Sequence, residues 1–190
     1  GKEAAEESID IISEELRNTN MLFITAGLGG GTGTGAAPII ARLAKELGIL
    51  TVAIVTYPFG FEGRKRSNQA DGGLEELRDS VDTCVIICND KLREIYGNLS
   101  LSDAFAKADD ILTIASKGIA EIITRTGYIN VDFEDVRTVM TDSGVAIMGS
   151  SLASGENRAL KAAQEALESP LLNDNNIEGA NYILLNITSG

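Results

Sequence analysis

The stretch Gly27-Leu28-Gly29-Gly30-Gly31-Thr32-Gly33-Thr34-Gly35 decides the fold of this chain, because an apolar run precedes it and an amphipathic run follows it. The apolar run, Met21-Leu22-Phe23-Ile24, predicts a buried strand, and the apolar positions from Ile39 to Leu47 recur at helical spacing. This order of strand, glycine loop and helix predicts an anion site, most often for phosphate. Glycine lets a ligand approach the backbone, and a helix start offers free N–H groups. Thr32 and Thr34 add hydroxyl donors.

Two common phosphate loops fit this stretch poorly. The P-loop ends in Gly-Lys-Ser/Thr, and the stretch contains no lysine. The dinucleotide loop in its relaxed form, G-x-G-x-x-A, matches Gly31, Gly33 and Ala36, but it also requires an acid at the end of the next strand. The next apolar run, 50–55, is followed by Thr-Tyr-Pro. A third type of glycine loop therefore remains. The alternative is a structural turn, which six glycines in nine residues disfavour on entropic grounds.

The composition narrows the function further. The net charge of the 190 residues is −12, from 16 basic and 28 acidic side chains, so binding to nucleic acid through a basic face is not expected. The absence of histidine excludes Ser-His-Asp and Cys-His catalysis and histidine-bound metals. Cys84 and Cys88 lie in an apolar run and are expected to be buried free thiols in a reducing compartment. No apolar run reaches membrane-spanning length, so no direct membrane insertion is expected.

Strands and helices alternate along the chain, which predicts an α/β fold with a mostly parallel sheet. The strands are predicted at Met21–Ile24, Leu50–Val55, Thr83–Cys88, Val145–Met148 and Tyr182–Ile187. A long helix is predicted to begin at Ser100 or Ser102 and to end at Gly127. The chain starts with Gly1-Lys2 rather than Met and stops just after the last predicted strand, so we expect it to be a piece of a longer protein.

Six further segments accompany the glycine stretch in the order found in one family. They are Thr56-Tyr57-Pro58-Phe59-Gly60-Phe61-Glu62-Gly63, Asn89-Asp90-Lys91-Leu92, Asp103-Ala104-Phe105, Asn130-Val131-Asp132-Phe133-Glu134-Asp135-Val136-Arg137, Met148-Gly149-Ser150 and Asn186-Ile187-Thr188. With Gly29-Gly30-Gly31-Thr32-Gly33-Thr34-Gly35 as its signature loop, the chain resembles the tubulin/FtsZ family of GTPases over nearly its whole length. It is more similar to the bacterial FtsZ branch than to tubulin. Two positions depart from the family pattern: Thr126 replaces a common proline, and Tyr57 replaces a common charged residue.

The resemblance implies a Rossmann-like nucleotide-binding domain, with a mostly parallel sheet and helices on both faces, that is truncated at its N-terminus. Residues 1–180 would form this partial GTP-binding domain, without its N-terminal strands and two further phosphate loops. Residues 181–190 would be the first strand of a C-terminal domain. The chain by itself is therefore expected to bind GTP weakly or not at all, because each missing loop removes hydrogen-bond donors to charged oxygens.

The resemblance also implies a function for the whole protein. Such a protein binds GTP or GDP with Mg²⁺, hydrolyses GTP and polymerises head to tail into filaments of the bacterial division ring. It would be cytoplasmic, at the division site, with itself as main partner and with membrane anchors and regulators bound through the missing parts. No residue of this chain is predicted as a metal ligand. Two other classes stay open: a polymer or binding module without hydrolysis, and an NAD-linked oxidoreductase, which the missing ribose acid disfavours.

Five side chains outside the glycine stretch are candidates for nucleotide binding. Glu62 and Arg66 would by themselves be an exposed i,i+4 ion pair worth about 0.3–0.5 kcal/mol. The resemblance implies instead that they contact the ribose and a phosphate. Asn89 could cap a helix, whereas the resemblance implies contacts with sugar and base. Phe105 and Asp109 share a helix face. The resemblance implies that the ring stacks on guanine and that the carboxylate accepts from its N1–H and 2-amino groups.

Three acid and amide residues near position 130 are candidates for catalysis. Asp132 and Asp135 could simply form a capping box at a helix start. Together with Asn130 they match Asn-x-Asp-x-x-Asp, which resembles the synergy loop that the family inserts against the nucleotide of the next subunit. The resemblance thus implies hydrolysis shared between two subunits, with a carboxylate orienting a water near Mg²⁺. An open α/β sheet can hold the nucleotide at one end and offer such acids at the other.

Overall fold

The computed structural model describes residues 1–97, 99–125, 131–168 and 180–188. Within these ranges, strands and helices alternate as the sequence predicts. The helices are α1 (Lys2–Glu7), α2 (Ile9–Leu16), α3 (Gly31–Glu46), α4 (Arg64–Ser80), α5 (Asn89–Tyr96), α6 (Leu101–Thr124), α7 (Phe133–Met140) and α8 (Arg158–Leu167). The strands are β1 (Met21–Gly27), β2 (Leu50–Tyr57), β3 (Thr83–Cys88) and β4 (Gly144–Ala146), and a short 3-10 turn, Gly60–Glu62, follows β2.

The four strands form one parallel sheet in the order β1-β2-β3-β4. The register aligns Gly27 with Thr56 and Tyr57 with Cys88, so β1, β2 and β3 end at the same edge of the sheet, which we call the carboxyl edge. The opposite edge, where the strands begin, is the amino edge. β4 pairs only with the first half of β3, from Thr83 to Val85. Parallel neighbours need crossover connections, and helices supply each of them here.

Helices cover both faces of the sheet, as predicted. Along β2, Val52 and Ile54 belong to the core that α6 and α7 complete, whereas Ala53 and Val55 belong to the core that α3 and α4 complete. This division follows from the strand geometry, because successive side chains point to opposite faces. All four side chains are fully buried. A strand that is buried on both faces has a continuous apolar sequence, and β2 has one.

Three local features differ from the sequence predictions. The first helix is divided at Ser8 into α1 and α2. The glycine stretch itself forms the first turns of α3, which begins at Gly31 rather than beyond the loop. Residues 180–188 form no strand, so the strand predicted at Tyr182–Ile187 is wrong for this structure. The physical reason is that an apolar sequence provides only a pattern, whereas a strand exists through hydrogen bonds to a neighbouring strand.

Several predictions concern residues outside the described ranges. Asn130 is one of these residues, and so are Thr126 and Gly127. The long helix α6 ends at Thr124, before the predicted stop. The division into two domains at residue 180 stays a prediction. Among the described helices, none is long and apolar enough to cross a membrane.

Candidate functional site

The carboxyl edge brings three separate segments together. The glycine loop leaves β1, the turn Gly60–Glu62 follows β2, and Asn89 directly follows β3. A backbone hydrogen bond from the Leu28 N–H to the Thr56 carbonyl, at 3.0 Å, joins the loop to β2. Ligands of open α/β sheets bind at this edge. The structure therefore gathers the glycine loop and Asn89, which are far apart in sequence, at the expected place for a ligand.

Packing requires two glycines of the loop. Gly29 has a φ of +92°, and a side chain there would lie 2.9 Å from the carbonyl oxygen of Arg66 on α4. A side chain at Gly33 would lie 2.4 Å from the carbonyl oxygen of Gly27 at the end of β1. The Gly29 N–H donates to Thr34 Oγ1 at 2.9 Å. The Thr34 oxygen thus holds the loop in place, and its hydroxyl proton is still free to be donated.

Packing does not explain Gly30 and Gly31. No atom of the described residues lies within 4 Å of the position that a side chain would take at either residue, so this side of the loop is open. Gly35, in contrast, lies against α1, where a side chain would be 3.0 Å from the Lys2 nitrogen. No side chain caps α3, and Thr32 is exposed in its first turn. An open backbone with uncapped N–H groups at the positive end of a helix suits a phosphate group.

Glu62 and Arg66 form the predicted ion pair, and Glu62 also has a structural task. One carboxylate oxygen of Glu62 accepts a hydrogen bond from the Phe59 N–H at 2.8 Å, and the other oxygen pairs with Arg66. The Glu62 side chain is 9% exposed and that of Arg66 is 52% exposed. The acid is therefore fixed inside the turn, whereas part of the guanidinium faces solvent beside the glycine loop and can contact a ligand.

Asn89 does not cap a helix. Helix α5 begins at Asn89 itself, Cys88 is its N-cap, and no side chain caps it. Asn89 is 4% exposed, and its Oδ1 has no hydrogen-bond partner among the residues that the structure describes. A buried acceptor without a partner costs about 1–3 kcal/mol. Asn89 Oδ1 is therefore a buried acceptor at the carboxyl edge whose hydrogen-bonding capacity is not used by the described residues.

Phe105 belongs to an aromatic cluster that sequence reasoning missed. Its ring lies edge-on to Phe59, with centroids 5.4 Å apart, and Phe59 stacks on Phe61 at 4.8 Å. Phe59 is 1% exposed, whereas Phe105 and Phe61 are 38% and 52% exposed. A cavity of about 280 Å³ adjoins this cluster. It is lined by Phe59, Phe61, Leu92, Arg93, Gly97, Leu99, Leu101 and Ala104. The sequence signal was the Phe-Gly-Phe repeat in a loop that would otherwise be polar.

Asp109 is exposed one helical turn after Phe105, and its carboxylate makes no hydrogen bond within the described part of the chain.

Sequence reasoning also missed the anchoring role of Asp90. Both Asp90 carboxylate oxygens accept from the Gly60 N–H, each at 3.1 Å. Asp90 follows Asn89 in α5, so this contact holds the turn after β2 against the start of α5.

Asp132 and Asp135 form the capping box of α7. The Asp135 N–H donates to Asp132 Oδ1 at 2.9 Å, and the Asp132 N–H donates to Asp135 Oδ2 at 3.3 Å. Both side chains are exposed, and each keeps one carboxylate oxygen outside the box. The prediction that these two residues form a helix cap is therefore confirmed. The carboxylate oxygens outside the capping box are exposed and can accept hydrogen bonds from other groups.

The acid pair lies away from the glycine loop. Helix α7 is held at the amino edge, where the Arg137 guanidinium donates to the Gly48 carbonyl at 3.3 Å and the Thr83 hydroxyl donates to the Met140 carbonyl at 2.6 Å. Gly48 precedes β2 and Thr83 begins β3. Helix α6, whose Phe105 contacts Phe59 at the carboxyl edge, has 24 residues and is about 36 Å long, which brings the chain to the opposite side.

Two titratable side chains of the central strands, one on β2 and one on β3, have raised pKa values. The Tyr57 hydroxyl donates to Asp71 Oδ1 at 2.7 Å, and this hydrogen bond, with burial, raises the pKa of Tyr57. Burial raises the pKa of the Cys84 thiol to about 11. Both free cysteines were predicted to be buried, and only Cys84 is, because Cys88 at the strand end is half-buried.

Among the described residues no three Asp, Glu or Cys side chains cluster as a metal site.

Two family descriptions match the sequence. The GTPase domain of the tubulin/FtsZ family matches residues 1–97, a range that contains β1, the glycine loop, β2 and β3. The C-terminal domain of the FtsZ family matches residues 144–190. This second match begins at β4, upstream of the predicted division at residue 180.

Similar proteins cover the chain from end to end. Cell division protein FtsZ of Pseudomonas putida is 59% identical over 100% of this chain and 48% of its own length, and that of Coxiella burnetii is 56% identical over 100% and 50%. The chain thus spans about half the length of the curated relatives it matches. An empty FtsZ dimer from M. jannaschii has a TM-score of 0.86 at 50% identity, covering 90% of this chain and 50% of that one. GDP-bound monomeric CetZ1 from Haloferax volcanii has a TM-score of 0.62 at 25% identity, covering 79% and 44%. The chain belongs to the tubulin/FtsZ family.

Proposed function

We propose that, within its full-length protein, this chain binds GTP at the carboxyl edge and that the protein hydrolyses GTP and polymerises head to tail in bacterial cytokinesis. The observation that carries the proposal is the open backbone at Gly30 and Gly31, at the uncapped start of α3. The names of the bacterial relatives, which are cell division proteins, support the biological role. The chain by itself, which spans about half the length of these relatives, is expected to bind GTP weakly or not at all.

The glycine loop would hold the phosphates. The residues in this role are Gly29, Gly30, Gly31, Thr32, Gly33, Thr34 and Gly35. The uncapped N–H groups of α3 would donate to phosphate oxygens, and the hydroxyl protons of Thr32 and Thr34 would add two more hydrogen bonds. Gly29 and Gly33 would act indirectly, because their missing side chains allow the loop to pack against α4 and β1.

The remaining contacts would select the sugar and the base. Arg66 faces solvent beside the loop and would pair with a phosphate, while Glu62, fixed by Phe59 and Arg66, would accept from a ribose hydroxyl. The unpartnered Asn89 oxygen would accept from the sugar or base. Phe105 would present its exposed face to the base, and the free carboxylate of Asp109 would accept from guanine N1–H and the 2-amino group, a donor pair that adenine lacks.

Mg²⁺ would accompany the nucleotide rather than occupy a cage made by this chain. Mg²⁺ in nucleotide sites is held mainly by phosphate oxygens and waters, with one or two carboxylates. The exposed carboxylate oxygens of Asp132 and Asp135 would be available for such an arrangement. When bound, the ion would neutralise part of the negative charge that develops on the phosphates.

Hydrolysis would require two subunits. In one subunit the phosphates lie at the carboxyl edge, whereas Asp132 and Asp135 lie on the amino-edge side of the same chain. In a head-to-tail pair, the exposed carboxylate oxygens of one subunit would reach the nucleotide of the next, where they would accept hydrogen bonds from the attacking water and orient it. Asn130 is proposed to act with them. The capping box would keep both carboxylates in a fixed direction while they do so.

The cellular setting is part of the proposal. We place the protein in the cytoplasm at the division site, with further copies of itself as its main partner. Membrane anchors and regulators would bind through parts of the full-length protein other than this chain. A filament without hydrolysis is a second candidate, and one observation favours it: Asp132 and Asp135 already have a complete structural role as a helix cap.

Steady-state GTP turnover by the full-length protein, measured across a range of protein concentrations, tests the proposal. Shared catalysis predicts that turnover per subunit rises with concentration and reaches a plateau where sedimentation detects polymer. Turnover per subunit that is the same at all concentrations would contradict shared catalysis. Polymer that forms with GTP but without phosphate release would favour the second candidate.

A further inference from the structure

The Tyr57 side chain joins the end of β2 to the first turns of α4. Tyr57 is the last residue of β2, at the carboxyl edge, and its side chain is half-buried. Its hydroxyl oxygen lies 2.7 Å from Asp71 Oδ1 and 3.4 Å from the Ser67 carbonyl oxygen. Because the hydroxyl has one proton, the shorter distance assigns the hydrogen bond to Asp71. Ser67 and Asp71 are four residues apart, so the hydroxyl meets one face of α4 over a full turn.

Core packing does not hold the start of α4. Residues 64–69, which open the helix, have the sequence Arg-Lys-Arg-Ser-Asn-Gln and include no apolar side chain. The first buried residue of α4 is Ala70, and no side chain caps the N-terminus of the helix. Within the described ranges, the Tyr57 hydroxyl makes the only hydrogen bonds between β2 and α4. Tyr57 therefore supplies the hydrogen-bonded link between the first turns of α4 and the sheet.

The same turns of α4 carry Arg66. The Arg66 carbonyl oxygen lies 2.9 Å from the position that a side chain would take at Gly29, so the backbone of α4 packs against the glycine loop there. The Arg66 guanidinium pairs with Glu62, and Glu62 also accepts from the Phe59 N–H at 2.8 Å. Arg66 is thus held twice: Glu62 fixes its side chain, and Tyr57 fixes the part of the helix from which that side chain extends.

We propose that Tyr57 is a positioning residue for nucleotide binding and that it acts through Arg66. The inference rests on the proposed function, in which the Arg66 guanidinium pairs with a phosphate, and it adds the residue that sets the place of that guanidinium. Pairing of arginine with phosphate depends on geometry, because the guanidinium donates in a rigid fork. A fork that the fold already holds in place loses less conformational entropy when the phosphate binds. The Tyr57 hydroxyl does not contact the nucleotide in this arrangement, since its proton is donated to Asp71.

Tyr57→Phe in the full-length protein tests this role, because it removes the hydroxyl and keeps the ring. Calorimetric titration should show GTP binding that is weaker by about five- to tenfold. The matched control is Tyr96→Phe, which removes a hydroxyl without a hydrogen-bond partner in the described part of the chain and keeps the ring that Lys107 covers. GTP affinity of this control should stay within about twofold of the parent.

Substitutions at the acceptor provide a second measurement. Asp71→Asn and Asp71→Leu remove the same charge, and only asparagine keeps a side-chain oxygen that can accept from Tyr57. The leucine variant should therefore bind GTP about three- to tenfold more weakly than the asparagine variant. Equal GTP affinity of the two variants would contradict a role for the hydrogen bond.

A double variant distinguishes positioning from a general effect on the fold. In Arg66→Ala protein, Tyr57→Phe should weaken GTP binding by less than about twofold, because the group that Tyr57 positions is gone. Binding is measured at a temperature at which thermal unfolding shows every variant to be folded. Unchanged GTP affinity in Tyr57→Phe, or an equal loss with and without Arg66, would overturn the inference and leave the proposed GTPase function standing. A parent protein that does not bind GTP would overturn both.

Discussion

The Arg137 guanidinium donates to the Gly48 carbonyl at 3.3 Å, and this contact joins the helix that carries the acid pair to the end of the helix that begins in the glycine loop. Arg137 also lies over the Phe133 ring, 4.9 Å from its centroid. One side chain thus helps to hold α7 in position at the amino edge. The direction of the two aspartates in the first turn of α7 depends on that position.

Arg137→Ala should lower the free energy of unfolding by about 1–2 kcal/mol, because it removes a charged hydrogen bond and a cation–π contact. Urea unfolding of the full-length protein measures this change. Turnover should fall more than GTP affinity, since the proposed nucleotide site lies at the other edge. The control is Glu134→Gln, which removes only the 3.7 Å ion pair between Glu134 and Arg137, keeps the Gly48 contact and should cost less than about 0.5 kcal/mol. Equal losses in the two variants would contradict the role of the Gly48 contact.

Asp135→Asn separates the structural role of the acid pair from its proposed catalytic role. Asparagine keeps a side-chain oxygen that can accept from the Asp132 N–H, so stability should change by less than about 0.5 kcal/mol. GTP binding should persist, while turnover should fall at least about 100-fold if the carboxylate orients the water. Asp135→Ala should lose turnover and also lower stability. Normal turnover in Asp135→Asn, measured by phosphate release, would show that the acid pair acts only as a helix cap.

Mixing two inactive variants tests whether the site is shared. Asp135→Ala retains the glycine loop, and Gly31→Asp retains the acid pair, so a mixed filament contains some junctions in which both halves are intact. Turnover of an equimolar mixture should exceed that of either variant alone. A mixture that is no more active than its components would argue for catalysis within one subunit.

Gly31→Asp and Gly33→Ala should have opposite effects on stability. Gly31 has open space around it, and an acid at a helix start is favourable, so Gly31→Asp should preserve or raise the unfolding free energy by about 0.5–1 kcal/mol while abolishing GTP binding by repelling phosphate. Gly33→Ala places a methyl group 2.4 Å from the Gly27 carbonyl and should destabilise by about 1–3 kcal/mol. Thermal unfolding and GTP titration of both variants provide the comparison. Unchanged GTP affinity in Gly31→Asp would show that the glycine loop does not bind the phosphates.

Asp109→Ala should relax the preference for GTP over ATP in the full-length protein. Leaving the guanine donors without a partner costs about 1–3 kcal/mol. Competition binding of the two nucleotides measures the preference. The neighbouring exposed Asp110→Ala is the control, because Asp110 pairs with Lys107 and should not read the base. An unchanged GTP/ATP ratio in Asp109→Ala would exclude it as the base-reading residue.

The buried Cys84 thiol should make the chain less stable at alkaline pH. Burial raises the pKa of Cys84 from 9.0 to about 11. Between these values the folded state binds more protons than the unfolded state, so the unfolding free energy falls as pH rises, by about 3 kcal/mol in total. Urea unfolding at pH 8, 9, 10 and 11 follows this loss, which Cys84→Val should reduce. An identical pH dependence in the parent and Cys84→Val would assign the loss to other groups.

Features whose partners are close in sequence could be predicted from the sequence. The capping box of Asp132 and Asp135 has both hydrogen bonds as expected, because its partners are three residues apart. Glu62 and Arg66 are four residues apart, about one helical turn, and they form the expected ion pair. The continuous apolar run at 50–55 correctly predicted the strand β2, which extends from Leu50 to Tyr57. These interactions depend on local geometry, which residue type and spacing already specify.

Contacts between residues that are far apart in sequence were decided only by the tertiary structure. Phe59 and Phe105 are far apart in sequence and lie 5.4 Å apart, and Gly29 needs to be glycine because Arg66 packs against it. The break at Ser8 and the missing strand at 182–187 were equally invisible in the local pattern. Such contacts depend on how whole helices pack on a sheet, and that packing is the sum of many small energies spread over the chain. The sequence by itself determined an α/β chain with a glycine loop between its first strand and the helix that follows. The parallel register and the helices that span the sheet set the glycine loop and the acid pair at opposite edges.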